Sequence, residues 1–249
     1  MSPAASAGLT PAMSAARDRV AHAAVGLVES GMIVGLGTGD TARRFIEQLA
    51  QRAREDALDL TCVATSDASA EFARTQGLVV RSLREAPDVD LAVDGADEVD
   101  PRCDLIKGGG GAHTREKIVA ASARSFVVLV DESKLVETLG VASAVPLEVL
   151  LDAVPLVERR VRALGASPSL RKARGGGPEA WITDLGHVLV DAKFPRIDDP
   201  AALARALDAI PGVVGHGLFV GMTALVLVGE LNGDRVRRLV PGPGARAEH

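Results

Sequence analysis

The sequence predicts an α/β fold, a mostly parallel, doubly wound sheet of Rossmann-like type followed by a second, smaller α+β unit. Three observations predict it. Short apolar runs alternate with helical patterns over the first half of the 249 residues, which is the signature of strands joined by crossover helices. Aromatics are scarce, with one Trp and no Tyr, so the core must come from Val, Leu, Ile and Ala, as suits strands covered on both faces. Beyond about Gly140 the spacing changes, and a tight turn at Gly186 between two apolar runs signals a hairpin instead of a crossover.

Taken in order, Ala and Val recur at helical spacing over 13–29, and Met32 to Leu36 is an apolar run ending in glycines. Helices over 41–54 and 68–76 alternate with strands at 60–64 and 79–83. A strand at 90–94, a helix over 114–124 and a strand at 126–130 complete the first series. The smaller unit holds 145–150, a helix near 155–164, strands at 181–185 and 187–192, and a helix near 200–209. Runs 214–220 and 224–229 are expected to return to the first sheet. The resulting plan is a disordered head at 1–12, a catalytic unit of 13–140 plus 218–240, a small ferredoxin-like unit of 141–217, and a disordered tail at 241–249.

A hydrophobic share of 47% marks a globular chain, and a net charge of −5 without a basic stripe argues against nucleic-acid binding. No apolar run reaches the ~18 residues of a membrane span, and the N-terminus lacks the pattern of a secretory signal, so a cytoplasmic location is expected. Cys62 and Cys103 have no partner at metal-ligand spacing and read as reduced core or loop residues.

Four segments carry chemistry, each at the end of a strand, where ligands bind in such sheets. Gly37-Thr38-Gly39-Asp40-Thr41 is a glycine loop entering a helix, where backbone N–H groups suit an anion. Thr65-Ser66-Asp67-Ala68-Ser69 reads first as a helix cap. Asp94-Gly95-Ala96-Asp97 packs carboxylates so densely that they repel one another. Such a cluster suits a divalent cation, the gripping of hydroxyls with proton handling, or only a solvated turn. The fourth segment, Lys107-Gly108-Gly109-Gly110-Gly111, sets an ammonium beside a nest of N–H groups able to hold an oxyanion. Glu116 follows in the first helical turn. With Thr114 as the cap, the capping-box partner would be Lys117, leaving Glu116 available as a base.

These residues, in this order, resemble the A-type ribose-5-phosphate isomerases, most specifically in D-G-A-D-E followed by K-G-G-G-G and R-E-K, with D-E-S-K at 131–134. The resemblance covers roughly 14–235. It implies interconversion of ribose 5-phosphate and ribulose 5-phosphate through an enediolate in the pentose phosphate pathway, with no metal or organic cofactor, by a homodimer or homotetramer. It assigns Glu116 as the base moving a proton between C1 and C2. Asp94 and Asp97 would bind hydroxyls and assist ring opening, and Lys107 with the amides of Gly108 to Gly110 would steady the enediolate. Thr38 to Thr41, Gly95, Ala96 and Lys134 fall on substrate contacts.

Two departures matter. Asp40 stands where the family usually has Ser, and Arg17 where it often has Lys. A carboxylate ~4 Å from a phosphate charge would be opposed by roughly 4 kcal/mol per charge pair at an effective dielectric near 20. Asp40 is therefore expected to face away, capping the helix or pairing with Arg43 or Arg44, and Arg17 to keep a charge near the phosphate. His113 reads as a loop variant. Two other readings stay open, a sugar-phosphate-binding regulator and a related amino-sugar phosphate deaminase or CoA transferase. His113 could imitate the acid that a deaminase needs.

Overall fold

The computed structural model describes residues 10–173, 177 and 179–242. The chain runs through α1 (Pro11–Val25), β1 (Ile33–Leu36), α2 (Asp40–Glu55), β2 (Thr61–Ala64), α3 (Asp67–Thr75), β3 (Val79–Arg81) and β4 (Val89–Gly95). Two short strands, β5 (Glu98–Val99) and β6 (Leu105–Ile106), precede α4 (His113–Ala121) and the long β7 (Ala123–Asp131). Then come β8 (Val145–Val149), α5 (Val154–Ala163), β9 (Ser167–Leu170), β10 (Val188–Lys193), α6 (Pro200–Asp208) and β11 (Val213–His216). The last elements are β12 (Leu218–Phe219), β13 (Leu225–Gly229) and β14 (Val236–Leu239).

The central sheet has seven strands in the order β14-β13-β7-β4-β1-β2-β3, all parallel except β14. Its strands are apolar on both faces because helices cover both. Val34, Leu36, Leu91, Val93, Val127 and Leu129 pack with α1 and α2 in one core. The alternate residues Ala92, Phe126, Val128 and Val130 pack on the other side with Val119 and Ala120 of α4, as a period of two requires. A four-stranded antiparallel sheet, β11-β8-β10-β9, has its own core with Val157 and Val161 of α5 and Leu207 of α6. Among the described residues no helix is long and apolar enough to cross a membrane.

Several expectations are corrected. The head does not extend to residue 12, since Pro11 opens α1 and the Thr10 hydroxyl accepts from Met13 N–H. Residues 1–9 and 243–249 of the expected head and tail lie outside the described residues. The turn at Gly186 is present, with Thr183 N–H bonded to His187 C=O, but 181–185 is not a strand and keeps a single bridge, Ile182 to Val188. The antiparallel neighbour of β10 on that side is β9. Its Ser-Pro-Ser-Leu sequence hides it, because proline argues against a strand except at a sheet edge, which is where β9 lies.

Residues 214–220 do not rejoin the central sheet. β11 pairs with β8, and β12 pairs with β6 in a three-stranded sheet β12-β6-β5; re-entry is made by β13 beside β7. Strands of two residues carry no readable period, which is why this small sheet escapes sequence reasoning.

Candidate active site

The loops leaving β1, β4, β6 and β7 line one cavity of about 160 Å³. Thr38 to Ala42 form one wall and Gly95 to Asp97 another. Lys107 to Gly110 and Glu116 form the floor, while Arg17 of α1 and Lys134 stand at the rim. Every residue expected to touch substrate lines this cavity except Asp94, which lies directly behind Lys107.

Glycine makes the rim loop possible. A Cβ on Gly37 would lie 2.2 Å from Asp94 Oδ1, so the loop can settle onto that carboxylate only without a side chain. Asp94 Oδ1 accepts from Thr38 N–H (3.1 Å) and Gly95 N–H (2.7 Å). The loop is also tied by hydroxyls: Thr38 donates to Ser66, Ser66 to Ser69, and Ser69 back to Gly37 C=O. Ser66 is the N-cap of α3, accepting from Ser69 N–H, so the second segment both caps a helix and braces the glycine loop.

The glycine run at the floor is held from below and from outside. Gly108 has φ +100°, a conformation that side chains resist, and a Cβ there would meet Pro146 at 2.6 Å and His113 at 2.8 Å. Arg171 donates to Gly108 C=O (3.0 Å) and Gly109 C=O (3.2 Å) while pairing with Asp191. The same run is bound on its other side, Gly109 N–H to Asp97 Oδ2 at 2.8 Å.

At the floor three charges are sequestered from water. Lys107 Nζ lies 3.0 Å from Asp94 Oδ2 and 3.0 Å from Glu116 Oε2, and donates to Gly95 C=O at 2.6 Å. All three side chains are buried. Burial raises the Glu116 pKa, the Asp94 charge raises it further, Lys107 draws it down, and Asp97 raises it again, leaving it at about 8. Asp94 is raised by burial too, against Lys107 and its backbone donors. Lys107 is raised, since its two carboxylates outweigh its own burial. One ammonium thus faces two carboxylates, an arrangement that leaves one of them readily protonated.

The rim is arranged differently. Asp40 opens α2, but its side chain caps nothing; Oδ2 is shared by Arg17 Nη1 (3.2 Å) and Arg44 Nε (3.1 Å). Arg17 Nε also meets Asp131 Oδ2 at 3.0 Å, and Asp131 Oδ1 accepts from Ser133 N–H in the 3-10 turn Glu132–Lys134. Partial burial works against ionisation of Asp40, yet the hydrogen bonds and charges of Arg44 and Arg17 outweigh it and hold its carboxyl below the usual range. Of the expected pairing, Arg44 is the partner; Arg43 instead lies beside Glu47. Lys134 makes no ion pair among the described residues.

Other expectations change. Thr114 is not the cap of α4; that position is Ala112, without a capping side chain, and Glu116 is free of any capping role. His113 is no loop residue. It opens α4 fully buried, with Nε2 3.4 Å from Gly215 C=O, and burial pushes its pKa down to about 3. Cys103 is buried, and burial with Asp100 and Asp104 pushes its thiol up to about 11, so it is not a reactive thiolate. Sequence reasoning missed Arg171 and Asp191, because Arg171 acts on a glycine run remote along the chain and neither sits in a recognisable pattern; Asp131 lies in the quoted D-E-S-K motif, but its pairing with Arg17 was not foreseen. Among the described residues, no three His, Cys, Asp or Glu side chains converge as a metal-binding group.

The family profile described as ribose 5-phosphate isomerase A (phosphoriboisomerase A) matches residues 61–233. A ribose-5-phosphate isomerase A of Synechococcus is 50% identical over 222 residues, 88% of this chain and 95% of the relative. One of Methanothermobacter thermautotrophicus is 49% identical over 86% of this chain and 94% of the relative. The structure of ribose 5-phosphate isomerase A from Methanocaldococcus jannaschii superposes with a TM-score of 0.86 at 41% identity, covering 91% of this chain and 99% of that one. A D-ribose-5-phosphate isomerase in complex with phospho-erythronic acid superposes at 0.88 with 38% identity, covering 92% and 99%. With half of its residues shared across nearly the whole length of such relatives, and with the glycine loops and buried Lys107 assembled at one cavity, the chain belongs to the ribose 5-phosphate isomerase A family.

Proposed function

We propose that the chain interconverts D-ribose 5-phosphate and D-ribulose 5-phosphate, with Glu116 carrying the proton between C2 and C1. The observation that supports this most is the 3.0 Å approach of Lys107 to Glu116 on the floor of a cavity whose wall is the start of a helix. The first-turn N–H groups of α2 have no intrahelical acceptor and suit a phosphate, and Lys134, without an ion pair among the described residues, adds a charge. The opposite end of the sugar then lies against Lys107 and the glycine run.

In the aldose-to-ketose direction, ionised Glu116 takes the hydrogen from C2 as a proton, and the electrons move onto the C1 oxygen to give the enediolate. Lys107 and the Gly108 and Gly110 amides stabilise that oxygen. Glu116 returns the proton to C1, while a proton passes from the C2 oxygen to the C1 oxygen with Asp97 as the adjacent carboxylate. Asp94 acts through others: it fixes Lys107 and raises the proton affinity of Glu116. Phospho-erythronic acid, held by the structural relative, carries a planar carboxylate like the planar enediolate.

A deaminase would draw its acid from His113, which is buried away from the cavity. We expect a homodimer or homotetramer, readable by light scattering. The functional test is ribulose 5-phosphate formation after exhaustive chelation, for the protein and for Glu116→Gln. Turnover that survives chelation and is lost in the variant supports the reading; undiminished turnover in the variant removes Glu116 as the base.

A further inference from the structure

Beside the catalytic cavity lies a second cleft of about 670 Å³, sharing Thr38, Gly39 and Gly110 with it. That volume is within the roughly 300–1,000 Å³ of small-molecule sites. One wall is α2 and α3, where the Arg43 guanidinium carbon lies over the Phe72 ring, 3.9 Å from its centre, beside Ile46. The facing wall is Trp181 and Ile182 of the smaller unit. Arg115 ties the two sides together, meeting Asp67 at 2.7 Å and Asp184 at 3.2 Å.

The glycine run is the partition between the two spaces. A Cβ on Gly109 would stand 2.9 Å from Asp97 Oδ1 in the catalytic cavity, and one on Gly111 would stand 3.2 Å from Trp181 Nε1 in the cleft. With the phosphate seated on the start of α2, the C1 end of a pentose 5-phosphate reaches this partition. Thr38, Gly39 and Gly110 border both spaces, so a substituent on C1 that passes the edge of the partition at Gly110 meets the cleft lined by Trp181, Arg43 and Phe72. Aromatic faces and a flat guanidinium are what a planar heterocycle stacks on.

We propose that the cleft takes the base of a nucleoside 5′-monophosphate whose ribose 5-phosphate portion occupies the catalytic cavity. This rests on the reading of that cavity as the pentose-phosphate site. The N-glycosidic bond leaves no hemiacetal at C1, so the ring cannot open and the nucleotide is a dead-end competitor. Nucleotides thereby restrain the isomerase that handles the sugar from which they are built.

Trp181 is the only tryptophan in the chain, so its emission reports the cleft without labels. AMP, adenosine, ribose 5-phosphate and inorganic phosphate are titrated against the protein, and AMP is tested as an inhibitor of turnover. The expected results are a saturable change in emission with AMP, reversal by ribose 5-phosphate, and inhibition that raises KM with kcat unchanged. Adenosine is expected to bind about tenfold weaker or less, lacking the charge-assisted phosphate contacts. Phe72→Ala, and Ile182→Ala at an exposed position where folding is not at stake, are expected to weaken AMP inhibition by up to about tenfold. The KM for ribose 5-phosphate is expected to stay within about twofold of the parent.

The proposal is overturned if AMP inhibits no better than inorganic phosphate, if it leaves the emission unchanged, or if both variants weaken AMP and ribose 5-phosphate alike. The emission titration needs no turnover, so a protein that bound AMP without isomerising pentose phosphates would sink the functional reading and not this one.

Discussion

Asp40 and Glu116 are both acids in the first turn of a helix, both beside a cation, and both facing one cavity, yet they are driven in opposite directions. At the rim, one carboxylate is shared by two guanidinium groups and its side chain is 47% exposed, so it stays ionised. On the floor, two carboxylates share one ammonium and the Glu116 side chain is 3% exposed, so Glu116 holds a proton up to about pH 8. The difference teaches that the ratio of cations to carboxylates, together with access to water, decides whether an acid serves as an anchor or as a base. Rim and floor are thus two different uses of the same side chain.

The sharpest way to break this contrast is Glu116→Gln, expected to lower kcat by about a thousandfold with KM little changed, as loss of a general base does. Next, Lys107→Met leaves two acids buried without their cation. It is expected to cost about 3–5 kcal/mol of stability in urea unfolding and to lower kcat by roughly a hundredfold. An unaltered midpoint would show that the floor ion pairs contribute little.

The pH dependence separates floor from rim without a large loss of activity. A base must be ionised, so kcat/KM is expected to fall about tenfold per pH unit below about 8 and to level off above it. In Asp94→Asn that limb is expected to move to lower pH, because the Asp94 charge is one of the causes raising Glu116. Stability runs the other way. The folded state binds the Glu116 proton more tightly than the unfolded chain, whose carboxyl titrates near 4.5. The contribution of this group to stability is therefore complete below 4.5 and is lost as pH rises to about 8. The difference in Tm between the protein and Glu116→Gln, followed across that window, checks the sign.

The smallest effect is expected at the rim. Asp40→Ser removes two ion pairs to one half-exposed carboxylate, so unfolding should change by no more than about 1–2 kcal/mol, with kcat unchanged and KM moved by no more than about threefold. A collapse in kcat would mean that the Asp40 carboxylate takes part in the reaction directly.

Much of this contrast is legible in the sequence, and the illegible parts have physical reasons. The glycine loops, Asp97, Lys107 and Glu116 lie at strand ends in local patterns, and a parallel sheet gathers strand ends on one edge. The pairing of Asp40 with a neighbouring arginine, found at Arg44, follows from charge alone. The position of Asp94 behind Lys107 does not, since only the packing of Gly37 onto it reveals which acid meets the cavity. Arg171 was invisible because its partners, Gly108 and Asp191, are 63 and 20 residues away. His113 misled because a polar side chain beside a glycine loop reads as a surface residue, whereas here it fills the space beneath Gly108. Strands β9 and β12 fell below the length or above the proline content that a period-two pattern can report.

The central claim is that one buried carboxyl, Glu116, moves the hydrogen between the two sugar carbons. Incubating ribose 5-phosphate with the protein in deuterium oxide and reading the sugar by proton NMR tests it most directly. The account predicts deuterium entering at C2 of the aldose and C1 of the ketose, and no such exchange with Glu116→Gln at matched protein concentration and time. Exchange that persists at the parent rate in that variant would contradict it.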